Sequence, residues 1–152
     1  MELIEHRFDS LSDIKYRIFT CDISGKRSAT AIVLRFSGTY GYGSLGNGDG
    51  HFMRTVTLSA LSLWSVEAIV FDMRELHYKW GDTIWGLYGC SIDPSGIGDL
   101  PYATVVSELC RAGITSCESI GGPLFDDVES AIENLRPRAQ EYLEKLWADD
   151  ED

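Results

Sequence analysis

The spacing of apolar and polar positions changes several times along the chain, and each change marks an element. In residues 14–23 (IKYRIFTCDI), Ile14, Tyr16 and Ile18 alternate with polar residues before Phe19 and Cys21 blur the pattern. Period two predicts a strand. Ser24-Gly25-Lys26-Arg27 reads as a turn, and residues 29–36 (ATAIVLRF) are apolar and β-branched. Together they predict an antiparallel hairpin. Gly38, Gly41, Gly43, Gly46, Gly48 and Gly50 then crowd residues 37–50, which predicts a long flexible loop. Phe52, Val56, Ala60, Leu63 and Trp64 come near helical spacing across residues 52–64. Residues 67–72 form a continuous apolar run, the pattern of a central strand buried on both faces.

Residues 82–88 predict a short helix with Asp82 as its N-cap. Residues 90–100, rich in Gly, Pro, Ser and Asp, read as a loop, and residues 102–106 as a strand entered from Pro101. A helical turn over residues 107–112 is ended by Gly113, and residues 114–119 suit a short edge strand. Gly121-Gly122-Pro123 breaks the chain. Asp126 and Glu129 form a D-x-x-E pair like a capping box, and Val128, Ala131, Ile132 and Leu135 supply a helical core stripe. Pro137 interrupts that helix. A second one over residues 138–147 carries Tyr142, Leu146 and a Glu141–Lys145 pair. The order predicts one α/β domain over residues 1–148, with a mixed sheet of about four to five strands packed with helices. The acidic end, residues 149–152, is expected to be a disordered tail.

Composition narrows the function classes. A chain of 152 residues suits one domain, and 44% hydrophobic with 24% charged residues is ordinary for a soluble globular protein. No apolar run approaches the roughly 20 residues of a membrane span, and MELIEHRFDS lacks the layout of a signal peptide. Both point to the cytoplasm. A net charge of −11 argues against nucleic acid and anionic membrane as partners and suits a basic protein. Cys21, Cys90, Cys110 and Cys117 are scattered without a C-x-x-C pair, and read as buried free thiols rather than a metal site.

Candidate chemistry is sparse. Gly41-Tyr-Gly43-Ser-Leu-Gly46 matches G-x-G-x-x-G, and Asp72 ends the next strand, as in a dinucleotide fingerprint. The helix does not open at the third glycine, however, and Asp49 would repel phosphate. No cofactor is expected on that ground. Asp72 with Arg74 and Glu75 could serve acid–base chemistry at a strand end, or Asp72 could cap loop amides or pair with Arg74. His6, His51 and His77 show no metal-ligand spacing, and Cys90 and Ser91 lack a nucleophile motif. Trp85 suits the core; Trp80 sits in the loop before the helix, where aromatic residues serve as binding anchors. The expected partner-binding set is Tyr40, Tyr42, Asp49, Asp72, Glu75, Tyr78, Trp80 and Asp82.

Two stretches, AIVFDMRELHYKWG (residues 68–81) and PLFDDVESAIENL (residues 123–135), resemble the strand–Asp–loop–Gly segment and the closing acidic helix of the STAS domain, the fold of anti-sigma-factor antagonists. The resemblance extends through the element order over residues 14–136. It implies a protein-binding regulator. Regulatory members carry an Asp-Ser-Ser-Gly-like turn with a phosphorylated Ser, whereas this chain reads Tyr78, Lys79, Trp80 and Gly81, so that switch is expected to be missing. The nearby hydroxyls are those of Tyr78 and Thr83. Function therefore has three readings. The first is a non-enzymatic immunity protein that neutralises a toxin. The second is a STAS-like regulator. The third is a small α/β enzyme or nucleotide- or CoA-binding protein using the glycine loop.

Overall fold

The computed structural model describes residues 1–91, 100–116 and 122–150. The expected hairpin is present. β1 (Lys15–Asp22) pairs antiparallel with β2 (Thr30–Thr39), from Lys15 opposite Ser37 to Asp22 opposite Thr30. Its turn is held locally: Ser24 N–H donates to the Asp22 carboxylate at 2.7 Å, and Ala29 N–H donates to the Ser24 hydroxyl at 3.0 Å. β3 (Ala68–His77) lies parallel to β2, β4 (Tyr102–Val105) parallel to β3, and β5 (Leu124–Phe125) parallel to β4. The result is a five-stranded mixed sheet in the order β1-β2-β3-β4-β5. β3 is its middle strand, buried without a break from Ala68 to Met73 as a run without alternation requires.

Each face of the sheet is covered differently. On one, α1 (Asn47–Leu63) and a 3₁₀ segment (Asp82–Ser91) pack against Ile32, Leu34, Ile69 and Phe71. On the other, α3 (Val128–Asp149) lays Ala131, Leu135 and Ala139 on Val33, Val70, Ala103 and Val105. A short α2 (Arg111–Thr115) precedes β5. Among the described residues, no helix is long and apolar enough to cross a membrane.

Several elements differ from the sequence reading. Residues 37–50 are not a flexible loop. β2 runs on to Thr39, a 3₁₀ turn occupies Gly43–Gly46, and α1 begins at Asn47. Gly41, Gly43, Gly46, Gly48 and Gly50 fill positions where a Cβ would collide with its neighbours, and Gly38 has φ +118°. The helix after Gly81 is 3₁₀ rather than α, and begins at Asp82. Gly113 lies inside α2 instead of ending a helix. Ile114 and Thr115 belong to that helix, so the sheet edge falls to Leu124–Phe125.

The cap of α3 is Asp127, which accepts from Ser130 N–H at 2.7 Å; Asp126 instead pairs with Arg111. Pro137 does not split α3. Its ring faces solvent, so the Glu133 carbonyl it leaves without an N–H partner can turn to water, while Leu135 and Ala139 keep one buried stripe. α3 reaches Asp149, the first residue of the expected tail. Residues 92–99, 117–121 and 151–152, on which parts of the expected loop, edge strand and tail fall, lie outside the described residues, as do Cys117 and the Cys90 side chain. Cys21 is half-buried and Cys110 buried; both are free thiols, and burial raises the pKa of each.

Candidate functional site

β2 and β3 run parallel and end together, with Thr39 opposite His77. At the C-terminal ends of parallel strands, loops open into a surface crevice. Here the two loops are clasped to one another. Tyr40 N–H donates to the His77 carbonyl at 2.9 Å, and Gly43 N–H to the Trp80 carbonyl at 3.0 Å. Asp49, in the first turn of α1, reaches back to the same loop. Its carboxylate accepts from Gly41 N–H at 2.8 Å and from the Ser12 hydroxyl at 2.5 Å.

The glycines make this clasp possible. Gly43 has φ +59°, and a Cβ there would stand 2.7 Å from the Trp80 ring. A Cβ on Gly46 would collide with the Tyr40 ring. These are positions of close approach and left-handed backbone, not of free motion. Gly48, at the start of α1, is a third such position, where a Cβ would collide with the Leu11 carbonyl.

What the clasp presents is an aromatic ridge. Tyr42 is 66% exposed and Trp80 50%, with ring centroids 5.6 Å apart and planes tilted by 41°. Beside it lies a cleft of about 450 Å³ lined by Thr39, Tyr42, His77, Lys79 and the exposed Leu109. Leu109 arrives through a long-range backbone bond, Tyr78 N–H to the Leu109 carbonyl at 3.1 Å. Nothing local in the sequence signals that meeting.

The other expected contact residues divide by burial. Tyr40 and Tyr78 are buried, edge to face at 5.1 Å, and form the floor beneath the ridge rather than part of its surface. The Tyr78 hydroxyl donates to the Gly81 carbonyl at 2.8 Å. Burial, with Tyr78 and Asp49 nearby, raises the pKa of Tyr40. Asp49 is half-buried and acts as the staple already described. Glu75 and Asp82 are exposed.

Asp72 is not at this surface. It lies on the α3 side of the sheet, fully buried, accepting from Arg35 Nε at 2.8 Å and from the Arg74 guanidinium at 2.9 Å. Burial alone would raise its pKa, but the hydrogen bonds from Arg74 and Arg35 outweigh burial and hold it below the usual carboxylate range. Pairing with Arg74, one of the roles expected of it, is what the geometry shows, and Asp72 also accepts from the Arg74 N–H at 3.3 Å. Trp85 packs on Tyr88 with ring centroids 6.0 Å apart. His6, before the first element, His51 on α1 and His77 at the end of β3 are all exposed.

No protein-family model matches this sequence, and no curated protein matches it. Among solved structures, the chain is similar to the crystal structure of an anti-sigma factor antagonist from Mycobacterium paratuberculosis. The TM-score is 0.51 at 13% identity, over 79% of this chain and 95% of that one. The fold is STAS-like. On this STAS-like frame the turn after β3 is where Tyr78, Lys79, Trp80 and Gly81 stand. Its one hydroxyl, on Tyr78, is buried, and the Thr83 hydroxyl beyond it donates to Asn47 Oδ1 at 2.6 Å.

Proposed function

We propose that this STAS-like chain is a non-enzymatic, protein-binding regulatory module whose contact surface is the Tyr42–Trp80 ridge with its adjoining cleft. The observation that carries the reading is the ridge itself: two large aromatic side chains held at the surface by turns that leave them little freedom. Tyr and Trp dominate binding hot spots, and holding them in place before binding lowers the ordering cost. Asp72, the carboxylate weighed for acid–base work, is committed to two arginines, which supports a binding rather than a catalytic role.

The likeness to an anti-sigma factor antagonist makes a protein of the anti-sigma type the first partner class to test. With the Tyr78 hydroxyl buried and the Thr83 hydroxyl engaged, control at this turn would come from partner supply rather than phosphorylation. Toxin neutralisation, the most specific expectation from sequence, draws support from the net charge of −11 alone.

The test is affinity capture from a lysate of the source organism with the intact chain, Trp80→Ala and Tyr42→Ala. A stoichiometric protein retained by the parent and lost by both variants is expected. A partner kept by both variants would remove the ridge from the interface. No protein partner, together with a rise in Tm with a nucleotide or CoA thioester, would overturn the reading in favour of a small ligand.

A further inference from the structure

β1 is an edge strand, and among the described residues its backbone hydrogen bonds run to β2 alone. A free edge is a template for another strand, and proteins guard such edges with charge. Lys15 and Arg17 would serve for that purpose. The surfaces flanking this edge go further, and they differ between the two faces of the sheet.

On the α3 side the cations form a row. Arg17 stands opposite Arg35 across the β1–β2 pair, and each guanidinium lies 5.0 Å from the centre of the Phe19 ring. Arg74 continues the row on β3, joined to Arg35 through Asp72. Glu75 and Asp127 act on the Arg74 end. Lys15 and Arg17 have no carboxylate partner among the described residues. On a chain of net charge −11 this is a local reversal of sign. On the α1 side, Tyr16 and Ile18 of the same strand join Phe8, Val56, Leu63 and Trp64 around an apolar groove of about 320 Å³. Tyr16, Leu63 and Trp64 are 49%, 72% and 42% exposed.

We propose that the β1 edge receives an extended segment of a partner protein in which acidic and apolar residues alternate. Successive strand residues point to opposite faces, so one added strand can set its carboxylates beside Lys15 and Arg17, with Arg35 behind them, and its apolar residues toward the groove. The site is separate from the Tyr42–Trp80 ridge and does not rest on its role.

The test is fluorescence anisotropy of the full chain with a labelled peptide of about eight residues, a normal strand length, alternating glutamate and valine. Saturable binding is expected, weakened by salt. Arg17→Glu and Lys15→Glu, both at exposed positions, should each weaken it at least roughly tenfold, Trp64→Ala should weaken it through the groove, and Trp80→Ala should leave it unchanged. A peptide with the same charges but alternate N-methylated amides should not bind, which separates strand pairing from simple charge attraction. Absence of binding would overturn the proposal. So would binding that survives Arg17→Glu or N-methylation, or sedimentation showing the free chain already paired through β1.

Discussion

The two faces of the central sheet are held by different physics. Under α3 the sheet offers small aliphatic side chains, Ala31, Val33, Ala68, Val70, Ala103 and Val105, and a single helical stripe covers them. Stability there comes from area removed from water, which asks little of direction. Under α1 and the 3₁₀ segment the core adds buried aromatic rings to its aliphatic residues. Phe71 meets Tyr88 edge to face at 5.0 Å, Tyr40 meets Tyr78 at 5.1 Å, and the Tyr88 and Thr104 hydroxyls share a bond of 3.0 Å. Rings and hydroxyls are satisfied in few orientations, so this face depends on turns that hold them. The candidate site grows from the second face. Its surface aromatics are the outer members of a region whose inner members are already locked.

The contrast can be broken on either side. Leu135→Ala in α3 removes a fully buried side chain from the aliphatic face, and should cost about 3 kcal/mol in chemical denaturation. Partner capture through the ridge should survive at temperatures where the variant is folded. Gly46→Ala adds one methyl group to the other face, at negative φ (−88°). Its Cβ meets the Tyr40 ring, so a cost of about 2 kcal/mol is expected. If Gly46→Ala were neutral, residues 37–50 would be the loose loop that their glycine content predicts, and the ridge would lose its rigid base.

Asp72 sharpens the comparison, because it is a polar group within the aliphatic face. Its folded pKa lies below the usual carboxylate value. The stability it contributes is therefore fully present above the ordinary carboxylate range, and is lost as pH falls through that range toward the depressed folded value. Asp72→Asn should lower stability near neutral pH by about 1.5 kcal/mol and flatten the acid limb of a stability–pH curve. Arg35 and Arg74 remain partly exposed and can rehydrate, which holds the cost below that of a fully buried pair. An unchanged acid limb would mean the two arginines do not favour the ionised carboxylate.

What could be read from the sequence follows the same division. The hairpin, the buried central strand and the α3 stripe are written in local periodicity, and all three are present in the fold. β5 is two residues long, too short for a period to show. The glycines at 41, 43 and 46 look like flexibility in one dimension, because the tyrosine and tryptophan they admit come from residues that are neighbours only in three. Tyr42 and Trp80 read as aromatic loop residues in the sequence, yet their pairing depends on the parallel ends of β2 and β3. Tyr40 and Tyr78 share that composition and are buried, since alternation at the strand ends turns them inward. The Asp72–Arg74 pair is legible locally, but its second partner, Arg35, lies 37 positions away.

The smallest expected effect concerns the one place where the legible face misleads. A proline inside a helix normally costs about 3 kcal/mol relative to alanine, because it removes an N–H donor and crowds the preceding turn. Read locally, Pro137 separates two helices. The structure keeps one helix because the stripe on either side, Leu135 before and Ala139 after, packs onto the same sheet face and outweighs that local cost. Pro137→Ala should therefore stabilise the chain rather than leave it unchanged. Part of the gain is offset because proline also restricts the unfolded chain, by about 0.4–1 kcal/mol. The local cost is itself below the usual one, because the Pro137 ring faces solvent and the Glu133 carbonyl can turn to water. A net rise of about 1 kcal/mol in denaturation is expected, with helical circular dichroism unaltered in shape. A loss of stability would mean that a bend at Pro137 is needed to carry α3 across the sheet, and that the aliphatic face, too, depends on direction.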